Sequence, residues 1–175
     1  MIILIIIACI IAIPFIAALV MSKEYRIERE IIIEKQKQEV FHYIKLLSNQ
    51  VMFNKWMRED PHLNIKYHGT DGTKGFVAAW DSNLKRVGKG DQEITAVVDG
   101  QSIDITIRFI KPFEGNANSC LTTVALSDSQ TLVRWAFTGY RNYVNRIMHL
   151  LFNLPKMLGK DLQESLNNLK HILEK

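Results

Sequence analysis

A chain of 175 residues has room for one domain and an appendage, and its hydrophobic content of 47% lies in the globular range. The net charge of +4 comes from 22 basic and 18 acidic residues interspersed over residues 22–175, with no run of five like charges, which excludes a nucleic-acid-binding arm. Two cysteines, Cys9 in an apolar run and Cys120 in a strand-like segment, form no disulfide framework, so folding does not depend on an oxidising compartment.

Residues 2–21, IILIIIACIIAIPFIAALVM, carry no charged or strongly polar side chain. At 1.5 Å per residue such a helix is about 30 Å long, the thickness of a bilayer's hydrocarbon core. Thirteen of these residues are Ile, Leu, Phe or Val, and their insertion gains on the order of 5 kcal/mol. Pro14 is tolerable as a kink. A cleaved signal peptide needs a basic leader, and only Met1 precedes the run; Val20-Met21-Ser22 still offers a small-residue cleavage site, so cleavage stays an alternative. A lipoprotein signal around Cys9 is excluded by the short upstream segment. The expectation is a single uncleaved transmembrane anchor over 2–21. Lys23, Arg26 and Arg29 follow it and lean the domain of residues 22–175 toward the cytoplasmic side of the membrane.

The segment 25–33, YRIEREIII, alternates and predicts a strand. In 37–47 Val40, Phe41, Ile44 and Leu47 recur at three and four, predicting an amphipathic helix, with a second short helix near 50–57. Residues 64–139 have the texture of six short strands bounded by Gly-rich or polar clusters, and Asp99-Gly100 between two alternating runs is a hairpin signal. From 143 the period is again helical, interrupted around 153–155. In the terminal segment Leu158, Leu162, Leu166, Leu169 and Leu173 share one side, while Lys160, Asp161, Glu164, Asn167 and Lys170 share the other. An antiparallel sheet has one face to bury and this helix has one stripe, so each covers the other.

This order is similar to a known pattern. IIIEKQKQEVFHYI (31–44), Trp56, Gly88-Lys89-Gly90 leading into Gln92-Glu93-Ile94, Ile107–Pro112, Val133-Arg134-Trp135 with Gly139, and Leu166–Glu174 together resemble the START-like superfamily, in its SRPBCC or polyketide cyclase/dehydrase-like branch. One departure is Gln36-Lys37, where the family often has proline before the first helix. The resemblance implies an α+β helix-grip fold, a curved antiparallel sheet wrapped on a long C-terminal helix, with a cavity between them for a hydrophobic or amphipathic small molecule. Its members include lipid carriers, aromatic cyclases and hydroxylase subunits, so the fold alone does not select a chemistry.

Strand parity names the expected lining: Phe76 and Trp80; Ile94; Ile105, Ile107 and Phe109; Val124; Trp135 and Phe137. Trp56, Tyr67, Met157 and Leu158 join them, with Met148 as a further contributor. Arg29, on the parity of Ile31 and Ile33, is the one candidate for a polar group orienting a ligand. Packing into a solid core is the competing reading of the apolar set, and an exposed strand end is that of Arg29. His42, His62, His68, His149 and His171 lack metal-ligand spacing, and no nucleophile motif or phosphate loop is present, so neither metal nor cofactor is expected. Gly88-Lys89-Gly90 is too short for a P-loop and reads as a bulge. The leading expectation is a membrane-anchored protein binding a hydrophobic small molecule or lipid. A cyclase- or hydrolase-like enzyme, or a chaperone-associated interaction module, are the alternatives.

Overall fold

Seven strands pair antiparallel into one sheet: β1 (Glu24–Ile33), β2 (Asn64–His68), β3 (Val77–Asp81), β4 (Lys89–Val98), β5 (Ser102–Lys111), β6 (Gly115–Ser127) and β7 (Gln130–Tyr140), in the order β1-β7-β6-β5-β4-β3-β2. The structure, a computed structural model, describes residues 12–13, 15–140, 143, 146–147 and 154–175. Residues 2–11 and 14 of the expected span, and Met148 and His149, lie outside the described residues. Among the described residues, 15–20 are helical, and no helix is long and apolar enough to cross a membrane.

Six strands follow one another through short turns, as the texture of 64–139 implies. At Asp99-Gly100 the turn closes with Gln101 N donating to Val98 O at 2.9 Å, and Gly100 takes a φ of +67°, a left-handed value that costs glycine little. What alternation could not supply is the partner of β1, which zips onto the last strand, setting Ile27 beside Phe137 and Ile31 beside Val133. Between β1 and β2 the chain crosses one end of the sheet as α1 (Lys37–Ile44), a 3-10 turn (Leu47–Asn49), α2 (Gln50–Phe53) and α3 (Lys55–Arg58). The two helices expected here are thus four short pieces. Leu46 is extended at ψ 111°, and Asn54 at ψ 118° caps α3 by accepting from Trp56 N at 3.1 Å.

The long helix α4 (Leu154–Leu173) lies over the concave face. Leu162, Leu166 and Leu169 are fully buried, and Leu173 nearly so. Each such leucine contributes about 1.5–3 kcal/mol. The C-terminal end is pinned to β1, where Glu174 accepts from Glu34 N at 2.6 Å and Lys170 Nζ donates to Ile32 O at 2.6 Å. Its middle is tied to the short helices: Ser165 Oγ accepts from Lys55 N at 2.9 Å, and Asn168 Nδ2 donates to Phe53 O at 3.1 Å. One side chain departs from the expected polar side: Asp161 is 4% exposed and meets Arg86 Nη2 at 3.3 Å. Its partner comes from the β3–β4 loop, which helical spacing cannot reveal.

Candidate functional site

The helix stripe does not fill everything beneath it. Toward the C-terminus of α4, Leu166 and Leu169 pack against Ile33, Phe41, Ile44 and Leu121 in a closed core. Toward its N-terminus, Leu158 and Leu162 border a hollow of about 230 Å³. The sheet supplies Trp80, Gln92, Ile107, Phe109, Ser119, Trp135 and Phe137; the short helices supply Gln50, Asn54, Trp56 and Met57; the β3–β4 loop supplies Arg86 and Val87.

The walls are fixed by aromatic contacts and by one absent side chain. Trp80 meets Phe109 edge-on with centroids 6.0 Å apart, and Trp135 meets Phe53 the same way at 5.8 Å. Trp80 Nε1 donates to Val87 O at 3.2 Å, which orients the indole. Gly90 lies beneath that ring: a β-carbon there would sit 2.6 Å from Trp80 Cη2 and collide with Arg108 O. The register shifts between Lys89 and Gly90, so Gly88-Lys89-Gly90 is a bulge, as its length implied.

Seven of the thirteen expected lining residues meet at the hollow: Trp56, Trp80, Ile107, Phe109, Trp135, Phe137 and Leu158. Phe76, Ile94 and Ile105 face inward as parity required, but they are spent in the closed core. Tyr67 stacks on Phe76 at 5.8 Å near the sheet edge and is 46% exposed. Two expectations are corrected outright. Val124 lies on the outer face, where it pairs with Leu132, itself beside Ile32, so an apolar row crosses the convex side of three strands. The inward positions of β6 are Ala117, Ser119, Leu121 and Thr123, two of them polar. Met157, 46% exposed, faces away from the stripe of α4. Arg29 does not reach the hollow. Its guanidinium lies against Gly159, where a β-carbon would strike it, and its Nη1 donates to Glu28 O at 2.7 Å.

The sequence reading missed the polar belt. Gln50 is 1% exposed, Gln92 3% and Ser119 4%. Trp135 Nε1 donates to Ser119 Oγ at 2.7 Å, and Asn54 Nδ2 donates to Gln50 Oε1 at 3.3 Å. Gln92 Nε2 is enclosed and has no partner among the described residues. A signal existed in Gln92 itself, a polar residue at the inward parity between Gly90 and Ile94. At the mouth, Arg86 reaches Glu59 at 3.4 Å and Asp161 at 3.3 Å, strapping the loop to α3 and α4. Among the described residues the lining holds no carboxylate, imidazole or thiol. Nor does any cluster of three His, Cys, Asp or Glu among the described residues have metal-binding geometry.

No family model matches the chain, and no curated protein matches it. Solved structures do. Norcoclaurine synthase from Thalictrum flavum, in complex with dopamine and hydroxybenzaldehyde, is 7% identical with a TM-score of 0.63, covering 85% of this chain and 86% of that one. The Aha1 dimer from Colwellia psychrerythraea is 13% identical with a TM-score of 0.56, covering 86% and 96%. The di-domain ARO/CYC StfQ from the steffimycin biosynthetic pathway is 10% identical with a TM-score of 0.63; the match covers 86% of this chain and 51% of that one. At these identities the likeness is one of fold, a helix-grip α+β fold in which an antiparallel sheet packs on a long C-terminal helix.

Proposed function

We propose that this chain is a membrane-tethered binding protein for a hydrophobic small molecule, held in the hollow between the sheet and the N-terminal half of α4. The observation that carries the reading is the hollow itself: about 230 Å³, walled by aromatic side chains from the sheet and short helices, with a thin polar belt. Apolar walls with a few placed polar groups are the common make-up of ligand sites. The volume lies below the roughly 300–1,000 Å³ of drug-sized pockets, which favours a small ring compound over a diacyl lipid. Dopamine and hydroxybenzaldehyde, carried by the solved neighbour from Thalictrum flavum, are small ring compounds of this sort.

The tether places the site at its supply. The apolar run 2–21 serves as the span, and the domain follows within a few residues. Tyr143 OH donates to Phe15 O at 3.0 Å, and Arg146 Nη1 donates to Leu19 O at 3.3 Å and Met21 O at 3.1 Å, so the end of that run is stitched to the segment leading toward α4. A ligand drawn from the bilayer then avoids transit through water, which disfavours it by about 0.8 kcal/mol per CH₂. The basic residues Lys23, Arg26 and Arg29 just past the run support a cytoplasmic side for the domain.

The test is binding of N-phenyl-1-naphthylamine to the full chain in nanodiscs, with empty discs as control. Saturable one-to-one binding is expected, and Leu158→Trp, which fills the hollow from the helix side, should weaken it at least tenfold with little change in melting temperature. Binding that is indifferent to Leu158→Trp would remove the hollow as the site.

A further inference from the structure

The polar belt of the hollow is unbalanced toward donors. Trp135 Nε1 is a donor only, so at 2.7 Å it uses a lone pair of Ser119 Oγ, and the Ser119 hydroxyl proton is left to point elsewhere. Gln92 is 3% exposed, and its enclosed Nε2 has no partner among the described residues. A buried donor in that state is disfavoured enough that native interiors rarely leave it so. Full charges are not invited: among the described residues the one ionised side chain in the lining is Arg86, already engaged by Glu59 and Asp161. A buried ion would therefore lack a free counter-charge.

We propose that the ligand is a neutral, flat molecule of two or three fused rings bearing a carbonyl-type acceptor oxygen, which takes its hydrogen bond from Gln92 Nε2. This deepens the binding reading above and rests on it. Flatness follows from the aromatic walls, and the ring count from the volume. Gln92 pairs with Ile107, and Ile105, two residues along β5, pairs with Ser119. Two strand spacings and two residues separate Gln92 and Ser119, roughly 12 Å between Cα atoms in a flat sheet. The two donors thus address separate points of a ligand, and a second acceptor oxygen on the far side would meet Ser119.

The experiment compares 9-fluorenone with fluorene, nearly the same shape with and without the oxygen, by calorimetric titration of the full chain in nanodiscs, corrected with empty discs. Wild type is expected to bind fluorenone about tenfold more tightly than fluorene. In Gln92→Leu that ratio falls toward one through loss of fluorenone affinity while fluorene binding is kept; Gln92→Met serves equally where the leucine variant is poorly folded. Equal affinity of wild type for the two compounds overturns the donor assignment and leaves the hollow an apolar site, its amide met by water. Failure of both compounds to bind overturns the binding reading as well.

Discussion

Gly90 has no room for a side chain. It lies under the indole of Trp80 and against the carbonyl of Arg108, at a backbone conformation other residues also adopt, so the constraint is space alone. Overpacking of this kind typically destabilises by about 1–3 kcal/mol. Gly90→Ala is expected to lower stability by about that amount in urea unfolding and, by tilting Trp80 into the hollow, to weaken naphthylamine binding more than stability alone accounts for. At this scale the sequence was half legible. The inward parity of Trp80, Ile107, Phe109, Trp135 and Phe137 follows from period-two alternation, which needs no tertiary knowledge. Ser119 and Thr123 defeat it. They face inward because distant strands bring them partners: the Trp135 indole, and the carbonyl of Gly100, to which Thr123 Oγ1 donates at 3.0 Å. Polarity there records a three-dimensional neighbour, and the apolar Val124 is pushed outward by the same register.

Among the elements, α4 divides its labour. Its C-terminal half is packed and pinned, while its N-terminal half roofs the hollow and is pinned mainly through Asp161 to Arg86. The far pin titrates. The Glu174 carboxyl accepts from the backbone N–H of Glu34, and this bond, helped by Lys170 at 3.2 Å, holds its pKa below the ordinary 4.5 of a glutamate. A native pKa below the unfolded one means that the contribution is fully present above about pH 4.5 and is lost as pH falls through the native value. Glu174→Gln should match wild type in urea melts at the acid end, fall behind it as pH rises through the native value toward 4.5, and trail by a constant amount above that; parallel curves across the range would show that the pin contributes nothing. The existence of α4 and its apolar side were readable from spacing. Its pins were not, because they join residues 138 and 140 positions apart.

For the molecule as a whole, the last strand returns to pair with the first. The seven-stranded order sets β1 and β2 at opposite edges with the short helices running between them, and those helices line part of the hollow. The succession of a strand, helices, six strands and a helix made this architecture legible, whereas the volume left under α4 depends on how side chains from four separate segments fail to meet. The proposed tether belongs to this scale too. A lysine at the centre of a span disfavours insertion by about 2.5–3.5 kcal/mol, so two of them offset the roughly 5 kcal/mol gained by residues 2–21. The full chain should remain in the membrane pellet after alkaline carbonate washing, and the double change Ile6→Lys with Ile10→Lys should release it. Release of the unmodified chain would dismiss the anchor.

All three tryptophans of the chain, Trp56, Trp80 and Trp135, border the same hollow. The intrinsic ultraviolet emission of the protein is therefore a report on one place. A compound that enters will shift or quench that glow without any label, and one that settles elsewhere on the surface will leave it undisturbed.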